Sequence, residues 1–481
     1  MRPRPDTPPS ESRSPAWALA LLAVLGVVHL AAAWSIVRQP FGAPPAEAPL
    51  RFLFNDGTHR MGPGADFMAL YGAGAAARAG QDVYGRIPDD AGVPYAFPYR
   101  YSPVVASSLG AALSMLSPHA AFVLWCALLE LLLLACLRVW WRYTAGGLQW
   151  FGACALLLST PFLLELQMGQ FTFAATACAF IALLLAWERP LVAPLALAAG
   201  AFLKTFPLVA VPALLRRRAE PFMVFGAFTL LLSVDAAQRP DAWRTFLQLN
   251  FGATHLAPTS DAGNYGALHA AAQWGRALEA LPFGPAEVDA AAWWLRIGAL
   301  ALACAVVFRV RKRPHGTETA GAALLLGHFV SYAHVWEHHY AGVLLAGLLV
   351  TRAAHGLRRP VVTGVAVVCV LLMTAPTPFW LWDTAHDPRV WDPAARWTPL
   401  QCALLPTFKA GPALTLYALT LGLALVGPRR GLGSPGGLGS PHGTDAPRGS
   451  GPSASSEGGL VQVHQPQVGG LELPQADAEL G

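Results

Sequence analysis

The run WALALLAVLGVVHLAAAWSIV, residues 17–37, is an unbroken apolar stretch without a single Lys, Arg, Asp or Glu. About 20 such residues cross about 30 Å of hydrocarbon as a helix, and a helix satisfies its backbone polar groups internally where no water is present. The same pattern recurs near residues 101–138, 150–164, 171–187, 191–203, 206–215, 221–234, 291–308, 320–333, 340–351, 360–374 and 410–426. The chain therefore reads as an all-α, polytopic transmembrane bundle of about twelve helices. Arg2, Arg4 and Arg13 precede the first run, as in a signal peptide with Ala31–Ala33 near a cleavage site. The long apolar core and the many runs behind it favour an uncleaved first helix.

Composition agrees with that reading. At 54% hydrophobic and 13% charged residues, with a mean hydropathy of +0.42, the chain is too apolar for an ordinary soluble globule. The net charge of +5 does not point to nucleic acid, because Lys and Arg gather at the ends of apolar runs instead of forming a basic face. Placing Arg216–Arg218, Arg309–Arg313, Arg352–Arg359 and Arg429–Arg430 in the cytoplasm puts both termini inside. It divides the chain into a cytoplasmic N-terminus (1–16), a membrane domain (17–427) and a cytoplasmic tail (428–481). The tail, rich in Gly, Ser, Pro and Gln, is expected to be disordered. The segments 38–100, 235–290 and 375–409 become external loops. Of the seven cysteines, six lie in apolar runs and read as packing residues.

The residues able to carry chemistry converge on the external side. Asp66 opens a segment in which Phe67, Leu70, Tyr71 and Gly74 share one face of a short amphipathic helix laid on the membrane surface. Spacing leaves two roles for Asp66: a helix N-cap, or a general base raised in pKa by partial burial. Asp56, in Asn55-Asp56-Gly57, fits a turn. Lys204 interrupts an apolar stretch and either snorkels to headgroups or holds a phosphate. Gln167, Gly169 and Gln170 end an apolar span, and their amides suit sugar hydroxyls as well as a plain helix end. Tyr99, Arg100 and Tyr101 form an aromatic and cationic entry to a helix, suited to an interface belt or to stacking on a sugar. His334-Val335-Trp336-Glu337-His338-His339 places three histidines and a glutamate at a bilayer edge, where such groups are costly unless used. An interfacial belt anchored by Trp336 and Tyr340 would also explain it. Within it His334 to His338 spells H-x-x-E-H, the inverted zinc-protease pattern, although Asp383, Asp387 and Asp392 lie in a Trp/Pro-rich loop and not on a helix that would supply a third ligand.

Taken together, Asp66-Phe67 with Tyr71 and Gly74, Tyr84, Phe97-Pro98-Tyr99, Tyr101-Ser102-Pro103, Gly169-Gln170, Leu203-Lys204 with Phe206-Pro207, and Trp336-Glu337-His338-His339 resemble glycosyltransferase family 87. This is a family of the GT-C superfamily that includes polyprenol-phosphate-mannose-dependent α-mannosyltransferases. The likeness departs at Thr172, where the family's motif usually continues to an Asn, and at Asn264-Tyr265-Gly266, which stands for an expected Asn-Gln-Ser segment.

The resemblance implies a GT-C-like bundle in a bacterial-type inner (plasma) membrane, with an external or periplasmic active site beneath the first loop. It implies transfer of a hexose, mannose among them, from a polyprenyl-phosphate sugar to a lipid or cell-envelope glycan, with inversion. Asp66 would be the base, and His338, His339 and Lys204 would hold the donor phosphate. Gln170, Tyr71, Tyr99, Tyr101, Trp336, Glu337 and Asn264 would line the substrates. Metal-independent chemistry is expected, because the cationic groups offset the leaving charge; membrane lipids, donor and acceptor are the expected partners. A glycolipid transporter or flippase is the main rival, against which the hydropathy pattern shows no internal repeat. A membrane zinc metalloprotease is the second.

Overall fold

The computed structural model describes residues 16–41, 63–85, 92–94, 97–215, 219–251, 264–278, 285–378 and 397–426. The expected N-terminal segment, Asp56, Arg216–Arg218, the middle of the 375–409 loop with Asp383, Asp387 and Asp392, and the 428–481 tail lie outside these residues. The described chain is helical, with no strand and a single bridge pairing Asn264 with Trp336.

In chain order the helices are α1 Ala16–Val37, α2 Ala65–Arg78, α3 Pro103–Leu113, α4 Pro118–Tyr143, α5 Gly147–Leu157, α6 Thr160–Met168, α7 Thr172–Leu185 and α8 Val192–Leu203. They continue as α9 Glu220–Gln238, α10 Pro240–Phe251, α11 Ala267–Ala277, α12 Pro285–Val310, α13 Gly316–Ser331, α14 Tyr340–Gly356, α15 Pro360–Thr374 and α16 Pro399–Leu425. Their starts are written in the sequence. Pro118, Pro240, Pro285, Pro360 and Pro399 each occupy a first helical position, where a missing N–H costs nothing. Ser117 and Ser159 cap α4 and α6, and Thr398 with Gln401 forms a reciprocal capping box on α16.

Six helical stretches are long and apolar enough to cross a membrane: Ala16–Val37, Pro118–Tyr143, Gly147–Met168, Glu220–Gln238, Ala290–Val310 and Pro399–Leu425. The expected count of about twelve is not reached by length. Pro103–Leu113, Thr172–Leu185, Val192–Leu203 and Pro360–Thr374 are apolar but shorter than a bilayer needs. The shortening has a local cause. Gly169 ends α6 in a left-handed turn, so that α7 begins only at Thr172, and Lys204, in extended backbone, stops α8 before a short 3₁₀ turn at Phe206–Ala210. The helix-breaking residues are those that build the site.

Two helices make the centre. Nearly every described side chain of α13 and α14 is buried, whereas α9 buries only Pro221 and Asp235 and turns its apolar surface outward. Outward Leu and Phe suit hydrocarbon, which is as apolar as they are. The helix expected to lie on the membrane surface is present as α2, but it is buried on most of its circumference. It crosses α3 backbone to backbone at Gly74 and Gly110, where a Cβ on Gly74 would lie 2.1 Å from the Gly110 carbonyl carbon. A π-helical turn at Ala106–Gly110 shapes α3 at that crossing.

Candidate active site

The site begins where α2 meets the end of α6. Gly64, with φ of 73°, occupies the cap of α2, and its N–H donates to the Gln167 carbonyl at 2.7 Å. Asp66 therefore stands in the first turn, and the cap position that spacing allowed it belongs to Gly64. Gly169, with φ of 64°, closes α6 against α2 so tightly that a Cβ there would lie 2.5 Å from Phe67 Cβ. No other residue combines that φ with that approach at low cost. The result is that Gln170 is delivered to Asp66.

Gln170 organises the corner. Its side-chain amide faces the half-buried Asp66 carboxyl, while its Oε1 accepts from Lys204 Nζ at 3.2 Å, the Tyr101 hydroxyl at 3.2 Å and the Phe171 N–H at 3.0 Å. Lys204 Nζ also donates to Thr172 Oγ1 at 2.6 Å and sits 5.8 Å from the centre of the Tyr101 ring. Lys204 forms no ion pair among the described residues, so neutral acceptors hold a cation ready for another anion. Burial pushes the Asp66 carboxyl above its ordinary range, opposed by the Gln170 hydrogen bond and the charges of Lys204 and Arg100. A carboxylate raised in that way is a better base at neutral pH than a free one.

One carboxylate escaped the sequence reading. Glu165, fully buried in α6, accepts the Phe173 N–H at 2.8 Å through Oε1, and its Oε2 has no hydrogen-bond partner. It caps the start of α7, which carries Thr172, and the charges of Lys204 and Asp66 both reach it. An acidic residue inside an apolar run was the available signal.

The opposite wall is the turn Glu337–His339, a single 3₁₀ turn after extended backbone. His338 and His339 are buried and stack with ring centres 4.3 Å apart. The Trp336 N–H donates to His339 Nδ1 at 3.0 Å, which leaves the His339 proton on Nε2. His338 Nε2 is buried and unpaired. Burial first, then neighbouring positive charge including Lys204, holds both imidazoles well below the usual histidine range. They are neutral at physiological pH, so they offer hydrogen bonds and not positive charge. The H-x-x-E-H reading loses its geometry here, since His334 and His338 share no helix and Glu337 is engaged elsewhere. Among the described residues no group of three His, Cys, Asp or Glu is placed to hold a metal ion.

Several expected substrate contacts have partners within the protein. Glu337 Oε1 accepts from the Thr377 N–H at 3.0 Å and hydroxyl at 2.7 Å, and pairs with the fully buried Lys409 at 3.7 Å. Asn264 is fully buried: its amide donates to the Ala333 carbonyl at 2.8 Å and accepts from Gly266 N and Val335 N. It latches the start of α11 to the strand-like segment before His338. The Tyr71 hydroxyl donates to the Leu116 carbonyl and that of Tyr99 to the Ser102 carbonyl, both at or below 2.8 Å. Of the three tyrosines, Tyr101 alone reaches Gln170. Trp336 stays half-exposed.

The profile of glycosyltransferase family 87 matches residues 99–333. The chain belongs to that family. No curated protein and no solved structure matches it. This family 87 chain is thus a membrane glycosyltransferase. The matched span takes in Tyr101, Gln170, Lys204 and Asn264, while Asp66 on one flank and His338 and His339 on the other lie outside it. The fold carries both flanks to the matched core: α2 against α6, and the histidine turn against α6 and α7.

Proposed function

We propose that this protein moves a hexose, mannose among the candidates, from a polyprenyl-phosphate sugar to a hydroxyl of a lipid or envelope glycan, with inversion at the anomeric carbon. The observation that carries the proposal is the Asp66–Gln170–Lys204 corner: a burial-raised carboxyl and an unpaired ammonium share one amide, with neutral imidazoles across from them. Asp66 takes the proton of the acceptor hydroxyl as its oxygen bonds to the anomeric carbon. The bond from that carbon to the phosphate oxygen breaks, and its electron pair leaves with the phosphate. Lys204 receives the growing charge, and His339 Nε2–H donates to its oxygens, as does His338 in the tautomer that carries its proton on the unpaired Nε2.

An external location is supported by the arrangement of the basic groups. Arg142, Arg313 and Arg352 lie at the other end of the bundle, where Arg352 donates to the Tyr143 carbonyl and Arg313 to the Ala424 carbonyl. Outside the cytoplasmic membrane a sugar must arrive on a lipid carrier. The test is transfer by the purified protein from polyprenyl-phosphate hexoses and from nucleotide sugars, each with and without chelator. Transfer from the lipid-linked donor alone, resistant to chelator and giving the inverted anomer, is the expected result. Use of the nucleotide sugar, or retention of configuration, overturns the proposal.

A further inference from the structure

Arg296 is the one arginine within the described apolar span Ala290–Val310 that lies away from the arginine-rich end. It is partly accessible, and its neighbours Trp293, Trp294, Leu295 and Ile297 are exposed on the outside of the bundle. Its Nε donates to the Ser331 carbonyl at 3.3 Å, and its guanidinium carbon lies 5.7 Å from the centre of the Tyr332 ring. These contacts fix the plane of the guanidinium. Among the described residues its two terminal amino groups have no hydrogen-bond partner and no carboxylate.

From Tyr332 a run of stacked rings leads inward. Tyr332 stacks on His328 at 5.3 Å, and His328 lies nearly parallel to Phe206 at 5.0 Å and 5°. On its other side Tyr332 stands 6.3 Å from His339. The charges of Arg296 and Lys204 both reach His328, so two cations flank one aromatic wall. Lys204, Phe206, His328, Tyr332 and Arg296 are all partly accessible, although most of α13 is sealed. A wall of accessible rings between two cations is unlike a packed core. It leaves accessible aromatic surface with a cation at each end.

We infer that Arg296 is a second phosphate-binding residue, the lipid-side partner of Lys204, which captures the phosphate of a lipid-linked donor as it enters from the bilayer. The inference rests on the proposed use of such a donor. A fixed fork with two open N–H faces matches two phosphate oxygens, and at a bilayer edge the anion that meets it carries an apolar tail. The shared chemistry is a lipid-borne phosphate, whether of the donor or of a bulk anionic phospholipid.

The experiment compares wild type, Arg296→Gln and Arg296→Lys in neutral detergent, then with added phosphatidylglycerol, reading kcat and KM for a polyprenyl-phosphate sugar. Thermal melting confirms that each variant is folded. Arg296→Gln is expected to raise KM by about tenfold to a hundredfold with kcat within about threefold, and Arg296→Lys to recover part of the loss, since a charge-assisted fork is lost and then half restored. An unchanged KM in neutral detergent overturns the inference. An effect that appears only with phosphatidylglycerol also overturns it, assigning Arg296 to bulk lipid. Should wild type transfer no sugar from the lipid phosphate, binding of the labelled donor to wild type and Arg296→Gln separates the two claims. Tighter binding by wild type keeps the phosphate site without the transfer, and equal binding removes both.

Discussion

Two lysines interrupt this apolar chain, and the structure uses them in opposite ways. Lys409 is fully enclosed, paired with Glu337 and donating to the carbonyls of Met373 and Ala375, so its charge is spent inside the protein. Lys204 is half-open, and only neutral oxygens of Gln170 and Thr172 hold it. A buried ion pair is a device for fixing helices, here α16 to the histidine turn; a cation held by neutral acceptors keeps its field available. The contrast between an internally satisfied charge and an available one separates framework from site across the whole molecule.

Removing each charge should therefore produce different damage. Lys409→Met leaves the Glu337 carboxylate buried without its cation and is expected to cost about 3 to 5 kcal/mol of stability. Thermal melting reads this, and the double variant with Glu337→Gln should regain a large part of it; a single variant that melts like wild type breaks the contrast. Lys204→Met is expected to leave the melting temperature near that of wild type and to lower kcat by about 10²- to 10³-fold, the size of a lost charge-stabilising group. If instead it unfolds the protein, Lys204 is framework too.

Smaller effects sharpen the same division. Gly169→Ala forces a left-handed residue and pushes on Phe67, and is expected to cost about 1 to 3 kcal/mol together with most of the activity. Gly80→Ala serves as its partner: φ there is also positive, at 68°, but no atom lies within 4 Å of the added Cβ, so melting should shift less and activity should persist. The mildest effect is in pH. As the proposed base, Asp66 would work only when ionised, and burial sets its pKa above the ordinary value of 3.8, so the acid limb of kcat/KM should lie above that value, with activity falling as pH falls through it. Gln170→Leu removes a hydrogen bond that favours the ionised form and should move the limb to higher pH. A pH profile of the two proteins measures this. No inflection from His338 or His339 is expected between about pH 6 and 8, since both are already neutral.

The helical class and the membrane character were legible in the sequence, and Asp66, Gln170, Lys204 and the histidines stood out there as polar groups in or beside apolar runs, because each rests on a local signal. An apolar run, or a charge inside one, can be read without knowing its neighbours. The helix count was less legible: apolar runs such as 191–203 and 206–215 read as separate spans, but beside the extended backbone of Lys204 the first is a twelve-residue helix and the second opens as a 3₁₀ turn. What the sequence hid depends on distant partners. Asn264 looks like a substrate amide until Ala333 and Val335 are seen to take it, and Glu337 looks like a site acid until Lys409 and Thr377 close around it. Glu165 passed unnoticed in a run of leucines, although a lone carboxylate there was a signal in itself.

Asp66 as the base of a lipid-phosphate-dependent sugar transfer is tested by setting donor binding against transfer. Folded wild-type and Asp66→Asn proteins are given the same labelled polyprenyl-phosphate sugar and acceptor, and both donor binding and transfer are followed. Asp66→Asn is expected to bind donor about as wild type does and to transfer sugar about 10²- to 10⁴-fold more slowly. Equal rates of transfer in the two proteins would contradict it.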